Sequence, residues 1–288
     1  MKFGEKFRYL AKDIRKNKDN YFMILPYFIF FMLFTIVPVL VAIYLSFTYF
    51  NLLQPPQFRG LFNYARLLLD DDVFLISLKN TLIFALLTGP ISYFICVLFA
   101  WLINELPSKL RAFMTLVFYA PSISGTLYII WGFIFSGDSY GMVNGFLMQL
   151  GVIDDPILWF SDPKYNMTIL IIVQIWLSLG TSFLALIAGL QGVDRSLYEA
   201  GAIDGIKNRF QELIKITLPS IGPSLMFSAV MQIASSFAVG RLSMALAGFP
   251  STDNSASTIV THLLDYGNYR YEMGYACAIA TVLFMMML

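Results

Sequence analysis

Tyr198-Glu-Ala-Gly-Ala-Ile-Asp-Gly-Ile-Lys-Asn-Arg-Phe-Gln-Glu-Leu-Ile-Lys-Ile-Thr-Leu-Pro219 is a charged stretch with a long, mostly apolar run on either side. Leu197 to Ile203 holds good helix formers, with Asp194 or Ser196 available to cap its first turn. Gly205 breaks the pattern. A second helix is predicted over Asn208–Thr217, where Phe210, Leu213, Ile214 and Thr217 recur at helical spacing, and Pro219 is expected to end it. Ala200, Gly201 and Ala202 offer a flat surface on which another chain can approach closely, and the surrounding charges would set its register.

The flanking runs settle what kind of solvent the chain needs. Hydrophobic residues make up 58% and charged residues 13%, against roughly 45–50% and about 25% in ordinary globular chains. With a mean hydropathy of +0.70, that much apolar surface cannot be hidden inside a protein of this size, so lipid must cover it. The expected class is an all-α membrane protein, a six-span helical bundle. Its spans are placed at about 22–47, 80–103, 112–135, 167–190, 220–246 and 273–288, after an N-terminal segment at 1–20. The first run is too long for the core of a signal peptide and lacks a small-residue cleavage site, so it is read as a retained span. The last is short of a full crossing and has no polar flank, which suggests that the sequence stops within it. Pro26 and Pro38 are compatible with a membrane helix, because neighbours re-satisfy the freed backbone groups.

Basic residues divide unevenly between the two sides of such a bundle. One side collects the seven of the N-terminal segment, then Lys109, Arg111, Arg195, Lys207, Arg209 and Lys215, thirteen altogether; the other holds Arg59, Arg66, Lys79, Lys164, Arg241 and Arg270. By the positive-inside rule the N-terminus and the 191–219 loop are cytoplasmic, and the acid-rich 136–165 loop, with a short helix near Met142–Leu150, faces out. The Asp70-Asp71-Asp72 run is read as a cap for the helix that follows. Cys96 and Cys277 fall inside apolar runs and imply neither disulfide nor metal. His262 has no Cys or His nearby, so no metal site is expected.

The 198–219 stretch resembles the "EAA" loop of permease subunits in binding-protein-dependent ABC importers, specifically the carbohydrate-uptake, maltose-type branch. The family pattern is Glu-Ala-Ala, three residues, Gly, nine residues, Ile-x-Leu-Pro. Here it reads Glu199-Ala200-Gly201, Gly205 and Ile216-Thr-Leu218-Pro219. Two departures stand out: Gly201 replaces Ala, and ten residues separate Gly205 from Ile216, the extra one expected between the two helices. Supporting stretches are Leu25-Pro26, Pro38, Leu45-Ser-Phe47, Gly60-Leu-Phe-Asn-Tyr64, Asn80-Thr81, Gly141 to Trp159, Trp176 and Gly274 to Ala280, in family order.

That resemblance implies a membrane subunit whose loop, through Glu199, Ala200, Gly201, Asp204, Gly205, Ile216, Leu218 and Pro219, docks on a cytoplasmic ATPase. It implies as partners a second permease subunit, two copies of that ATPase and an extracellular solute-binding protein. ATP and Mg would sit on the ATPase, with no cofactor on this chain and no nucleic acid involved. No G-x-x-x-x-G-K-[ST] sequence occurs here, in keeping with hydrolysis elsewhere.

Polar side chains inside spans face cavities or other helices. Gln174, Leu177, Ser178 and Thr181 fall on one face of a continuous fourth span, and Ser228, Gln232, Ser235 and Ser236 on one face of the fifth. The resemblance places the family's sugar contacts on Gln174, Leu177, Ser178, Thr181, Gln232, Ser235 and Ser236; hydrogen bonding between helices explains the same residues. Arg241 is read either as snorkelling to the membrane surface or as meeting an anionic or hydroxyl-rich solute. A stand-alone secondary transporter is the rival reading. It would show an intramembrane acid or base and repeated halves, and spans two to five have neither. An intramembrane enzyme would need a catalytic constellation that is absent.

Overall fold

The computed structural model describes residues 16–288; Lys2, Lys6, Arg8, Lys12 and Arg15, with Glu5 and Asp13, lie outside the described residues. The fold is all-α. In chain order the helices are α1 (Lys18–Ser46), α2 (Phe62–Leu69), α3 (Asp72–Asn104), α4 (Ser108–Ile123), α5 (Ile129–Ile134), α6 (Met142–Gln149) and α7 (Asn166–Leu177). After them come α8 (Thr181–Gln191), α9 (Arg195–Ile203), α10 (Arg209–Ser220), α11 (Gly222–Phe237), α12 (Arg241–Ala247), α13 (Ile259–Leu264) and α14 (Met273–Met287). Among the described residues three helices are long and apolar enough to cross a membrane, namely α1, α3 and α7–α8 taken together; α10 with α11, bent by 82°, makes a fourth if the pair is one span.

The chain divides into two compact units. The first comprises the described residues up to Ala65 together with Tyr266–Val282. In it α1 presents apolar side chains outward along its length, as a helix bathed in lipid does. A two-residue strand pair joins Thr48 to Phe58 and Tyr49 to Gln57. Asn63 ties this corner down by donating to the Ser46 and Thr48 carbonyls, both at 2.8 Å.

The second unit, Arg66–Asp265 with Leu283–Leu288, holds the bundle. Its centre is α3, α8 and α11 packed pairwise on one another. Lipid tails are as apolar as leucine, so close packing and hydrogen bonds hold such helices together. Accordingly the buried face of α3 carries small residues, Ser77, Thr81, Ala85, Thr88, Gly89, Ser92 and Cys96, at intervals of about one turn. A core of Cys96, Ala100, Ile103, Phe183, Leu186 and Leu190 lies where α3 meets α8. Asp71 caps α3 by accepting from the Phe74 N–H at 2.9 Å, and its other oxygen lies 2.9 Å from His262 Nε2.

Several expected spans are interrupted. The one expected over 112–135 stops at Ile123: Pro121 removes a donor, Gly125 takes φ +61°, and Ser124 Oγ accepts from Leu127 N–H before α5 begins. The 220–246 run breaks at Ala238–Gly240, where Gly240 lies against Val260 with no room for a Cβ. The 167–190 run breaks at Ser178–Gly180, so Gln174 and Thr181 do not share one continuous helix as expected.

Candidate functional site

The 191–219 loop folds as two helices in contact. Asp194 starts α9, its side chain accepting from the Ser196 N–H at 3.0 Å; that bond holds the Asp194 carboxyl below the usual carboxylate range. The cap is therefore present above the ordinary aspartate pKa and is lost as pH falls through the lowered one. The C-terminus of α9 closes as a Schellman motif: Ile206 N–H bonds the Gly201 carbonyl at 2.9 Å, and Gly205 N–H bonds that of Ala202 at 3.3 Å. Gly205, at φ +89°, occupies the left-handed position this motif needs. Gly205→Val is expected to cost about 1–2 kcal/mol. Hydrogen exchange at the Ile206 amide should rise by about tenfold; an unchanged rate would remove this role for the glycine.

Gly201 is buried where α9 meets α10. A Cβ added there would stand 2.6 Å from Ile216 Cδ1 and 3.1 Å from Ile206 Cδ1. The departure from alanine thus has a packing reason: two isoleucine ends occupy the space a methyl would take. A second tie joins Tyr198 Oη to Thr217 Oγ1 at 3.0 Å.

The second helix begins one residue later than predicted and runs further. Asn208 caps it by accepting from the Gln211 N–H at 2.8 Å, and it continues through Pro219 to Ser220, bending only at Ile221. Leu213–Thr217 is a π turn. A π turn takes in more residues per turn than an α turn. The same turn gives room to Pro219, whose ring would crowd the Lys215 carbonyl one turn earlier. In α1 the π stretch Met32–Ile36 stands in the same relation to Pro38.

Beside α9 lies a cleft of about 530 Å³ lined by Asn104, Glu105, Arg111, Gln191, Arg195, Tyr198, Glu199 and Arg209, among others. Arg209 bridges Glu212 at 2.7 Å and approaches Glu105 at 3.7 Å, and the Glu212 hydrogen bond raises its pKa further. Arg111 reaches back to the Asn104 carbonyl and side chain at 3.3 and 3.1 Å. Glu199 is exposed, and among the described residues no cation pairs with it. Ile203, 87% exposed, ends α9, and Phe210 and Ile214 on α10 are also exposed. Among the residues named from the family pattern, Asp204 is the exposed cap residue of α9; Leu218 and Pro219 lie on the last turn of α10. Sequence reasoning did not single out Glu105, Arg111 or Ile203. Glu105 and Arg111 come from a distant connection, and Ile203 looked like an ordinary helix residue.

The second candidate group is largely spoken for. Gln232 Nε2 donates to the Ser178 carbonyl at 3.1 Å and Ser182 Oγ at 2.8 Å, with Cys96 Sγ at 3.1 Å. Ser178, Ser235 and Ser236 bond backbone carbonyls one turn back. Ser228 is buried, its hydroxyl without a partner among the described residues. Gln174 is half-buried and Thr181 exposed, neither with a side-chain partner among the described residues, and Leu177 packs with the apolar cluster on α7. Arg241 opens α12, exposed, without a carboxylate partner among the described residues.

No family model matches the sequence. The chain is similar to the "Probable ABC transporter permease protein YesP" of Bacillus subtilis (strain 168), at 32% identity over 95% of this chain and 88% of that one. It is also 28% identical to the arabinooligosaccharides transport system permease protein AraP of Halalkalibacterium halodurans, over 91% of this chain and 82% of the relative. Among solved structures, it superposes on a chain of a bacterial alginate ABC transporter crystallised with an alginate pentasaccharide-bound periplasmic protein. There the TM-score is 0.75 and the identity 26%, covering 96% of this chain and 94% of that one.

Proposed function

The chain belongs to the ABC transporter permease family, and from that membership we propose that it is one membrane subunit of an importer for an oligosaccharide, driven by ATP hydrolysis on a separate subunit. The carrying observation is the cleft beside α9, whose wall includes Glu199, a carboxylate with no cation partner among the described residues, together with the exposed Ile203 that ends α9. A carboxylate left without a cation at a protein surface suits a charged residue of a partner, and the exposed apolar tip suits a pocket. The uneven distribution of Lys and Arg supports a cytoplasmic position for this loop. The ties from Tyr198 to Thr217 and from Gly201 to Ile216 join α9 to α10, which leads into α11 across the bend at Ile221.

The partners in this reading are two ATPase copies, a second permease subunit and an extracellular solute-binding protein. The binding protein is supported by the crystallised alginate complex, which includes a periplasmic one. Purifying the tagged chain in mild detergent from its own membranes should recover a subunit that carries a Walker sequence and hydrolyses ATP. Recovery of the intact chain with no such subunit would end the proposal.

On the solute side, Gln174, Thr181 and Arg241 have no side-chain partner among the described residues, whereas Gln232 and the serines near it brace the bundle. Arg241→Ala is expected to lower uptake by about tenfold relative to Arg241→Lys, the worth of one charge-assisted hydrogen bond. Equal uptake in the two variants would take Arg241 out of the solute path.

A further inference from the structure

Helix α6 turns its apolar side outward. Asn144 points inward and is fully buried, while Met142, Phe146 and Leu150 follow at four-residue spacing on the opposite side and stand 69%, 61% and 59% exposed. Val152, just beyond the helix, is exposed as well, and Gln149 is the one polar residue on that face. From Gly141 to Ile153 the chain carries no charge, and the acids of the loop, Asp138, Asp154, Asp155 and Asp162, lie on either side of that stretch. Large apolar side chains gathered this way on a surface are covered by something. The position of α6 says by what. Its Asn144 amide donates to the Ser136 carbonyl at 3.0 Å, two residues past the end of α5. The Asn144 oxygen accepts from Trp159 Nε1 at 2.8 Å, and the Trp159 ring packs edge-on against Phe135 and against Tyr165, the residue before α7. α7 with α8 is one of the helices long and apolar enough to cross a membrane, so α6 is fastened at the mouth of that span. α5, on which α6 packs, exposes Ile129, Ile130 and Phe133, so lipid-type surface adjoins α6 directly.

We propose that α6 lies in the membrane surface, with Met142, Phe146, Leu150 and Val152 seated at the boundary between lipid headgroups and acyl chains. Such helices bury their apolar face about 5–10 Å into that boundary. Tyr140, 97% exposed just before the helix, supplies the kind of ring that settles at headgroup level. The uncharged stretch suits zwitterionic lipid, and the flanking aspartates stay in water. A solute-binding protein that docks and leaves fits this face less well, because transient interfaces are no more apolar than the rest of a protein surface. Through Asn144 the helix then moors both ends of the 136–165 loop at the bilayer.

The test needs no knowledge of the solute. Met142→Cys, Phe146→Cys, Leu150→Cys and Asp154→Cys are made singly in the assembled complex, on a Cys96→Ala, Cys277→Ala background. Each is labelled with a nitrobenzoxadiazole fluorophore and reconstituted in phosphatidylcholine vesicles. The probes at 142, 146 and 150 should lose about half of their emission to lipid spin-labelled near its headgroup, the depth at which such helices lie, and the probe at 154 almost none. A second measurement uses the unaltered protein: phosphatidylcholine carrying a photoreactive diazirine close to the headgroup should crosslink to peptides spanning 142–152. Equal quenching at all four positions, no quenching at 142, 146 and 150, or a crosslink map without 142–152 would each overturn the interfacial helix. Shielding that appears only when a solute-binding protein is added would overturn it too, and would give the face to that protein. ATP hydrolysis by the same vesicles, measured alongside, keeps the transporter reading separate, since it does not depend on where α6 lies.

Discussion

In vesicles carrying the assembled transporter, Glu199→Lys is expected to reduce uptake by at least about thirtyfold while the chain still inserts and the bundle still folds. Reversing one side of a desolvated charge pair costs about 2–5 kcal/mol, and the lower figure already gives that factor. The change also adds a fourth cation to a cleft wall that holds Arg111, Arg195 and Arg209. Folding is spared because Glu199 is exposed and bonds nothing within its own chain among the described residues. Co-purification of the ATPase measured beside uptake makes the cause visible: both should fall together. Normal uptake in Glu199→Lys would sink the docking role.

Asn144→Ala should produce the largest structural effect. Asn144 is fully buried in α6. Its amide donates to the Ser136, Asp138 and Ile157 carbonyls at 3.0, 3.2 and 3.0 Å, and its oxygen accepts from Ile157 N–H and Trp159 Nε1 at 3.2 and 2.8 Å. One side chain thus pins both ends of the 136–165 loop. Each buried group left unmet costs about 1–3 kcal/mol, so opening of the loop should become at least a hundredfold more frequent, or about 3 kcal/mol. Limited proteolysis should then cut between 136 and 165 in the variant and spare the parent; matching digestion patterns would refute the account.

Much of the membrane architecture was legible in the sequence, because hydropathy and the turn-and-cap signals around Asp71, Asp194 and Gly205 act locally. Several weak family-like positions now have physical roles. Asn80 donates to the Asn254, Ser255 and Ser257 carbonyls at 3.1, 3.2 and 3.0 Å, and Thr81 Oγ1 accepts from Ile259 N–H at 2.9 Å. What stayed hidden depends on partners far away in sequence. Nothing around Gln232 announces Ser178 and Ser182 as its acceptors. The breaks at Ser178–Gly180 and Ala238–Gly240 lie in runs whose hydropathy does not change. Glu105 and Arg111 joined the cleft only through tertiary packing, and the π turn before Pro219 follows from a steric demand that spacing alone did not reveal.

The interruption at Ser178–Gly180 leaves the fourth span as two helical segments that meet at Gly180. The joint exposes a carbonyl, that of Ser178, and Gln232 holds it from α11. One amide on α11 therefore ties both sides of the joint, Ser178 and Ser182, into the bundle.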